Sequence, residues 1–292
     1  MPTVHANGID IWYDVRGSAG SPDLVLNHGW LGPTEYWQPL VLETLGRHCR
    51  LLVYDVRGQG HTTAPEDPDA YSMPVYARDL TAVMDAAGIE RAHILGVSQG
   101  GMIAAQFAVD FPQRTRSLLL CDSSAGNGVD EGPGGEWERK MQEGFVRMEE
   151  IARGEGLAEL CERRIRNDIE TNPRYYEHPE PAEERQRKDR RRHAEITLHG
   201  FIGTARALRD RPDLTARLRE LQMPALVIGG EWDDFFPCSV RDHELIQGSR
   251  FVRMRHCAHD STSWRTDAFL KTVTEFIADV EAGRDVAGEI DL

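Results

Sequence analysis

The chain has 292 residues, 40% of them hydrophobic, and 34 lysines and arginines against 48 aspartates and glutamates, a formal net charge of −14. That length holds one large α/β domain or two small ones around a substantial core, and that apolar share excludes a disordered chain. The acidic balance excludes a nucleic acid or an anionic membrane surface as partner, since both are held by basic faces.

Taken in chain order, "TVHANGIDIWYDV" alternates apolar and polar residues around Asn7-Gly8, which predicts an opening antiparallel hairpin. The start carries no basic flank followed by a long apolar run, so neither a signal peptide nor a membrane anchor is expected. "DLVLNHG", "CRLLVYDVRG", "AHILGVS" and "SLLLCDSS" are short apolar runs, separated by helical patterns over 35–45, 74–87 and 99–111. This alternation predicts an α/β fold with a mostly parallel central sheet, its strands covered by helices on both faces. Ser72 with Pro74 marks one helix start, and Gly88 its stop.

From about Gly126 the composition shifts. "GNGVDEGPGGEWERK" reads as a glycine-rich linker, and the charged segment after it sets Leu157, Leu160, Cys161, Arg164 and Ile165 at helical spacing. Several amphipathic helices inserted into the core are expected, with the run "RQRKDRRRH" as the solvated face of one of them. Strand patterns resume in "MPALVIGGEWDDFF" and "SRFVRMRHCAHD", and "AFLKTVTEFIADVEA" predicts a last amphipathic helix. The expected division is a first core segment at 1–125, a helical cap at 126–212, a second core segment at 213–282 and a frayed acidic tail at 283–292. Five scattered cysteines with no C-x-x-C pair suggest neither a disulfide framework nor a zinc site, and a reducing cytoplasm fits best. His256 and His259 flank Cys257 without further ligands at a metal-binding spacing, so no metal is expected.

"HILGVSQGGMIAAQ" sets Ser98 among glycines where a strand pattern gives way to a helical one, and its "GVSQG" matches the nucleophile elbow G-x-S-x-G. Small neighbours let so tight a turn close, and the turn aims the next backbone N–H at a developing oxyanion. An isolated hydroxyl is a poor nucleophile near neutral pH, so Ser98 needs a base, and the base an orienting carboxylate. The chain order of this arrangement is serine, acid, histidine. "ALVIGGEWDD" supplies carboxylates and "RFVRMRHCAHD" histidines, each just past a buried strand, where the strand ends of a parallel sheet converge.

With "NHGW", "DVRGQG", "GVSQGG", "GGEWD" and "CAHD" in that order, the chain resembles the α/β-hydrolase superfamily over nearly its whole length. The stretch "SQGGMIAAQFAVDFPQRTRSLLLCDSSAG" is most similar to enol-lactonases of the 3-oxoadipate type and related esterases. The resemblance implies Ser98 as nucleophile, His259 as general base and then acid, and Asp233 as the group fixing the imidazole tautomer. It implies the N–H groups of Trp30 and Gln99 as the oxyanion hole, with His28 and Gly29 supporting that loop, His28 as a brace. Asp55 and Arg57 are expected to pin the "DVRGQG" turn. Trp30 and Phe235 are the candidates for a substrate pocket, while Trp37, Phe201 and Phe236 are expected in the core. Leu31 stands where many relatives carry proline or glycine; Asp122 and Asp234 are rival carboxylates, and His256 a rival histidine.

The function implied is a serine hydrolase that opens the carboxylic ester or lactone of a small, partly apolar substrate through an acyl-enzyme, with no cofactor. Its activity is expected to climb from mildly acidic to neutral pH as His259 loses its proton. The alternatives are carbon–carbon bond hydrolysis of a diketone-like compound, a cofactor-free oxygenase or perhydrolase, and a ligand receptor without turnover. Serine at the elbow weighs against epoxide hydrolase and haloalkane dehalogenase chemistry, which needs a carboxylate there. The partner expected is a small molecule, and a homodimer is compatible with the sequence.

Overall fold

A computed structural model describes residues 2–128 and 132–292, so residues 129–131 of the expected linker lie outside the described residues. Nine strands, β1 (Thr3–Ala6), β2 (Ile9–Arg16), β3 (Asp23–Asn27), β4 (Arg50–Tyr54), β5 (Ala92–Val97), β6 (Thr115–Cys121), β7 (Ala225–Gly230), β8 (Arg250–Met254) and β9 (Gly288–Asp291), form one sheet in the order β1-β2-β4-β3-β5-β6-β7-β8-β9. The β1–β2 and β2–β4 pairs are antiparallel and the others parallel. Every residue of β5 and β7 is buried, which is why these strands read as unbroken apolar runs. Asn7 and Gly8 at φ 51° and 76° make the opening hairpin turn, whose twist matches its strands.

The helices are α1 (Pro39–Gly46), α2 (Met73–Ala86), α3 (Gln99–Asp110), α4 (Pro133–Gly154), α5 (Leu157–Thr171), α6 (Ala182–Glu195), α7 (Leu198–Arg209), α8 (Thr215–Leu218), α9 (Phe236–Leu245), α10 (Ser261–Trp264) and α11 (Thr266–Glu281). Helices α1 and α11 cover one face of the sheet, and α2, α3 and α9 the other. The Ser72 hydroxyl accepts from the Val75 N–H at the start of α2, and Gly88 at φ 66° follows its end. Helix α1 begins later than its pattern predicts because Pro39 sits at its first turn, after a 3-10 turn at Thr34–Tyr36.

Between β6 and β7 lie α4 to α8. Helix α4 starts at Pro133, so the second half of the expected linker is helical; its glycines, Gly134 and Gly135, are buried there. On α5, Leu160, Cys161 and Ile165 face inward. The basic run on α6 is solvated and paired, Arg187 with Glu184 (2.6 Å), Arg190 with Glu162 (2.6 Å) and Arg191 with Glu35 (2.7 Å). Both passages between sheet and insertion meet at the buried Glu138 of α4. Its carboxylate accepts from the Gly128 N–H (2.6 Å) and the Ser124 hydroxyl on the way out, and pairs with Arg211 (3.6 Å) on the way back and with Arg241 of α9 (3.1 Å).

The tail expected to fray at 283–292 does not. Strand β9 adds in parallel to β8, and Asp291 pairs with Arg255 (2.6 Å), so backbone ladder bonds and surface charge hold a segment that buries almost nothing. Among the described residues no helix is long and apolar enough to cross a membrane, and the five cysteines are buried free thiols.

Candidate active site

Ser98 ends the run of β5 and caps α3 with φ 54° and ψ −120°, a conformation that typically costs an L-residue roughly 1–3 kcal/mol. The neighbouring glycines make it attainable. A Cβ on Gly96 would lie 2.0 Å from the Gly100 carbonyl oxygen, and one on Gly100 2.0 Å from the Asn27 carbonyl oxygen. They are there to let the first turn of α3 sit directly on the ends of β5 and β3. The strained residue is held at both ends: its N–H donates to the Cys121 carbonyl (3.0 Å), and the Ser123 hydroxyl donates to its carbonyl (2.7 Å). Among the described residues no hydrogen bond engages the Ser98 hydroxyl or the main-chain N–H groups of Gln99 and Trp30. The N-terminus of α3 adds its positive dipole end at the same point.

Gly29 lies across from the serine, the position of its missing Cβ being 3.6 Å from the Ser98 Cβ. The buried His28 is a brace: its Nδ1 donates to the Gly29 carbonyl (2.8 Å), its Nε2 accepts from the Val56 N–H (3.0 Å), and burial lowers its pKa. Leu31 takes φ 60° without being glycine. Its N–H donates to Gln59 Oε1 (2.8 Å), and Gln59 Nε2 donates to Gln99 Oε1 (3.1 Å), so one buried side chain clamps the loop to the elbow. Asp55 accepts from the N–H groups of Thr34 (2.6 Å) and His61 (2.9 Å), and Arg57 binds the Asp79 carboxylate of α2 through two nitrogens at 2.8 Å each.

Asp233 follows β7 and His259 follows β8. His259 Nδ1 lies 3.0 Å from each carboxylate oxygen of Asp233, which also accepts from the Phe235 N–H (3.1 Å). With Nδ1 donating, Nε2 keeps a lone pair for a proton. Partial burial opposes charging the ring, but the charge and hydrogen bonds of Asp233, and then the charges of Asp122 and Asp260, outweigh it and raise its pKa from 6.5 to about 9. That moves the expected rise of activity to more alkaline pH.

The rival residues make other contacts or none with the His259 ring. Asp122, at φ 47° after β6, accepts from the Gly230 N–H (3.1 Å) and from the N–H and hydroxyl of Ser261 (2.6 Å each). It thereby ties the end of β7 to the turn after His259, and burial with the charge of Asp233 raises its pKa to about 7. Asp234 makes no hydrogen bond to His259 among the described residues, and His256 is exposed, stacked on Trp232 at 5.2 Å.

Trp30, Ser98, Gln99 and Phe235 line a cavity of about 650 Å³ whose opposite wall comes from the insertion, chiefly Met141, Phe145 and Met148 of α4. The Phe235 ring lies 5.2 Å from the His259 ring. Phe201 is buried beneath Trp30 (4.9 Å), Trp37 is in the core, and Phe236 packs on Phe251 (6.0 Å). A larger groove of about 1010 Å³ runs along β2 and α1 beside Trp12 and Trp37, but none of Ser98, Asp233 or His259 lines it. Sequence reasoning missed Gln59, Tyr36, Asp260 and the α4 wall. The wall was legible, since Trp137, Met141, Phe145 and Met148 recur every three or four residues.

A profile of the alpha/beta hydrolase fold matches residues 22–266, and the chain belongs to that family. The crystal structure of the enol-lactonase from Burkholderia xenovorans LB400 superposes with a TM-score of 0.79 at 26% identity, over 95% of this chain and 100% of that one. A hydrolase from Pseudomonas aeruginosa PA01 superposes with a TM-score of 0.76 at 30% identity, over 94% and 97%. A bifunctional esterase/perhydrolase from Acinetobacter calcoaceticus is 23% identical over 287 residues, 93% of this chain and 97% of that protein. The protein is an α/β hydrolase, and a hydrolytic enzyme.

Proposed function

We propose that this hydrolase opens the carboxylic ester or lactone of a small, partly apolar molecule through an acyl-enzyme on Ser98. The observation that carries the reading is a strained serine whose free hydroxyl opens on an apolar cavity beside two unengaged N–H groups. Ser98 Oγ attacks the carbonyl carbon as His259 Nε2 takes the hydroxyl proton. The oxyanion is received by the Gln99 and Trp30 N–H groups, and Asp233 stabilises the imidazolium. Collapse breaks the acyl C–O bond, and the leaving alkoxide takes the proton from His259; in a lactone it stays tethered. Water, deprotonated by the same nitrogen, then releases the acid and restores Ser98. The insertion acts as a cap that forms the pocket wall.

A carboxylate elsewhere on the substrate is favoured by Arg164, an exposed residue of α5 that lines the cavity. Its guanidinium lies 5.7 Å from the Trp30 ring centre and donates to His193 Nε2 (3.3 Å), a neutral acceptor because His193 Nδ1 donates to the Asp189 carbonyl (2.8 Å). No ion pair engages it among the described residues, and no acidic residue lines the cavity. The names of the similar proteins, an enol-lactonase and an esterase/perhydrolase, support the same substrate class.

The test is a fluorophosphonate label with a panel of aryl esters and lactones, neutral and carboxylate-bearing. Labelling is expected to vanish in Ser98→Ala, with turnover of at least one carboxylate-bearing member. Labelling without turnover of any ester or lactone would instead favour cleavage of a carbon–carbon bond.

A further inference from the structure

We propose that Asp260 is a positioning residue for His259: its carboxylate, gripped by Tyr36 and Ser263, fixes the histidine turn against the oxyanion loop on one side and the helical insertion on the other. The proposal rests on His259 being the base of the reaction above. Asp260 directly follows His259 and sits at φ 77° and ψ 71°, a left-handed conformation that a non-glycine residue keeps only when its surroundings hold it there. Three hydroxyls do so. Tyr36 donates to Oδ1 at 2.5 Å, Thr262 donates to the same oxygen, and Ser263 donates to Oδ2 at 2.9 Å.

Tyr36 belongs to the oxyanion loop, 224 residues away in sequence. Its ring lies flush on that loop: a Cβ on Gly32 would be 2.8 Å from the ring, and one on Gly29 would be 3.8 Å away. One phenol therefore touches the loop that carries the Trp30 N–H and binds the residue next to the base. Ser263 extends the grip to the insertion. His178, just after the 3-10 turn Tyr175–Glu177, accepts the Glu180 N–H at Nδ1 (2.9 Å) and so carries its proton on Nε2, which donates to Ser263 Oγ (3.2 Å). Its ring also meets Trp264 edge to face at 4.8 Å. Donors from the histidine turn and the oxyanion loop thus converge on one carboxylate, and the insertion reaches it through Ser263.

The same carboxylate adds negative charge beside His259. The other charged groups facing that ring are Asp233 and Asp234 after β7 and Asp122 after β6. Position and charge can therefore be separated. Tyr36→Phe keeps the ring on Gly32 and removes the tether, whereas Asp260→Asn keeps an acceptor for Tyr36 and Thr262 at Oδ1 and removes the charge, its amide group facing the Ser263 hydroxyl where Oδ2 accepted from it.

The experiment uses the full chain, a short neutral aryl ester, and the pH titration of the His259 ring followed by NMR. Tyr36→Phe is expected to lower kcat by about tenfold with KM little changed and the ring titration in place, the pattern of a group lost from the transition state alone. Asp260→Asn is expected to move both the ring titration and the ascending limb of kcat/KM toward lower pH by about half a unit or more. Full kcat in a folded Tyr36→Phe, or an unmoved titration in Asp260→Asn, overturns the proposal. Should Tyr36→Phe lose its native circular dichroism, Ser263→Ala, which removes the hydroxyl on Oδ2 and leaves the phenol in place, is read by the same kcat and KM, and full kcat there overturns the proposal. The ring titration needs no substrate, so a wild-type protein that neither labels nor turns over any ester would sink the hydrolytic reading separately.

Discussion

Replacing Gln59 with leucine tests how the Trp30 N–H is held in place. Gln59 is 2% exposed, so leucine keeps the bulk of the site but accepts nothing from Leu31 and donates nothing to Gln99. The Leu31 N–H is then buried without a partner, at a cost of about 1–3 kcal/mol. Leu31 also holds a left-handed conformation against a preference of roughly 1–2 kcal/mol, and that hydrogen bond is what opposes its relaxation. The loop can escape both costs by turning Leu31 back to negative φ, which swings the Trp30 N–H away from Ser98. A loss of about 1–3 kcal/mol drawn from the transition state lowers kcat by roughly 5- to 150-fold, short of or near the loss of a whole oxyanion donor at roughly 100- to 1,000-fold. Steady-state kinetics on an aryl acetate, with thermal unfolding alongside, should show kcat reduced in that range and KM little changed. A variant with a lowered melting temperature and wild-type kcat would refute the reasoning, because Gln59 would then be packing and nothing more.

The remaining expectations concern the base, the elbow and a buried ion pair. As the proposed base His259 would work only when neutral, and its folded pKa is raised from 6.5 to about 9, so log kcat/KM should climb steadily with pH on the alkaline side of neutrality; a profile flat across neutrality would contradict it. By linkage, the stability contributed by the protonated His259–Asp233 pair is fully present below pH 6.5 and lost as the pH rises through about 9, and Asp122→Asn should shift both effects to lower pH, read from the same profile and from denaturation at several pH values. Gly100→Ala places a methyl group 2.0 Å from the Asn27 carbonyl oxygen and 2.8 Å from that of His28; α3 must back away, at roughly 3 kcal/mol or more, and a urea midpoint equal to wild type would count against the close contact. Asp79→Ala leaves Arg57, 3% exposed, without its carboxylate, and urea unfolding should report a loss of about 3–5 kcal/mol.

The fold was legible where burial is two-sided. Runs such as Ala92–Val97 and Ala225–Gly230 contact helices on both faces, so their chemistry announces a parallel strand. Strand β9 was illegible for the opposite reason: Gly288 to Asp291 are all exposed, and what holds them is backbone pairing plus an ion pair, neither of which leaves a hydrophobic pattern. In the site, the glycine spacing around Ser98 carried its own physical meaning, since two of those glycines leave no room for a methyl group. Among Asp122, Asp233 and Asp234 the glycine spacing of "GGEWD" favoured Asp233, but all three stand just past strand ends, and the direction of the side chains is what separates them. Gln59 and Tyr36 were invisible as site residues because their partners lie 28 and 224 residues away, and such contacts exist only once the sheet has assembled. The apolar stripe on α4 stood in the sequence at helical spacing, but it was passed over because the helix grows out of a glycine- and proline-rich turn that looks like a linker.

Glu138 gathers both roots of the insertion, receiving the chain as it leaves the sheet and again as it comes home. Met141, Phe145 and Met148 hang farther along the same helix, within reach of the cavity and clear of that root. The architecture therefore separates inheritance of the reaction from choice of molecule: side chains on the outer turns of α4 can be exchanged to reshape the cavity while the mooring and the strained Ser98 turn stay as they are. A library confined to those three positions should yield altered selectivity at near-native melting temperature, whereas one that includes Glu138 should mostly yield unfolded protein.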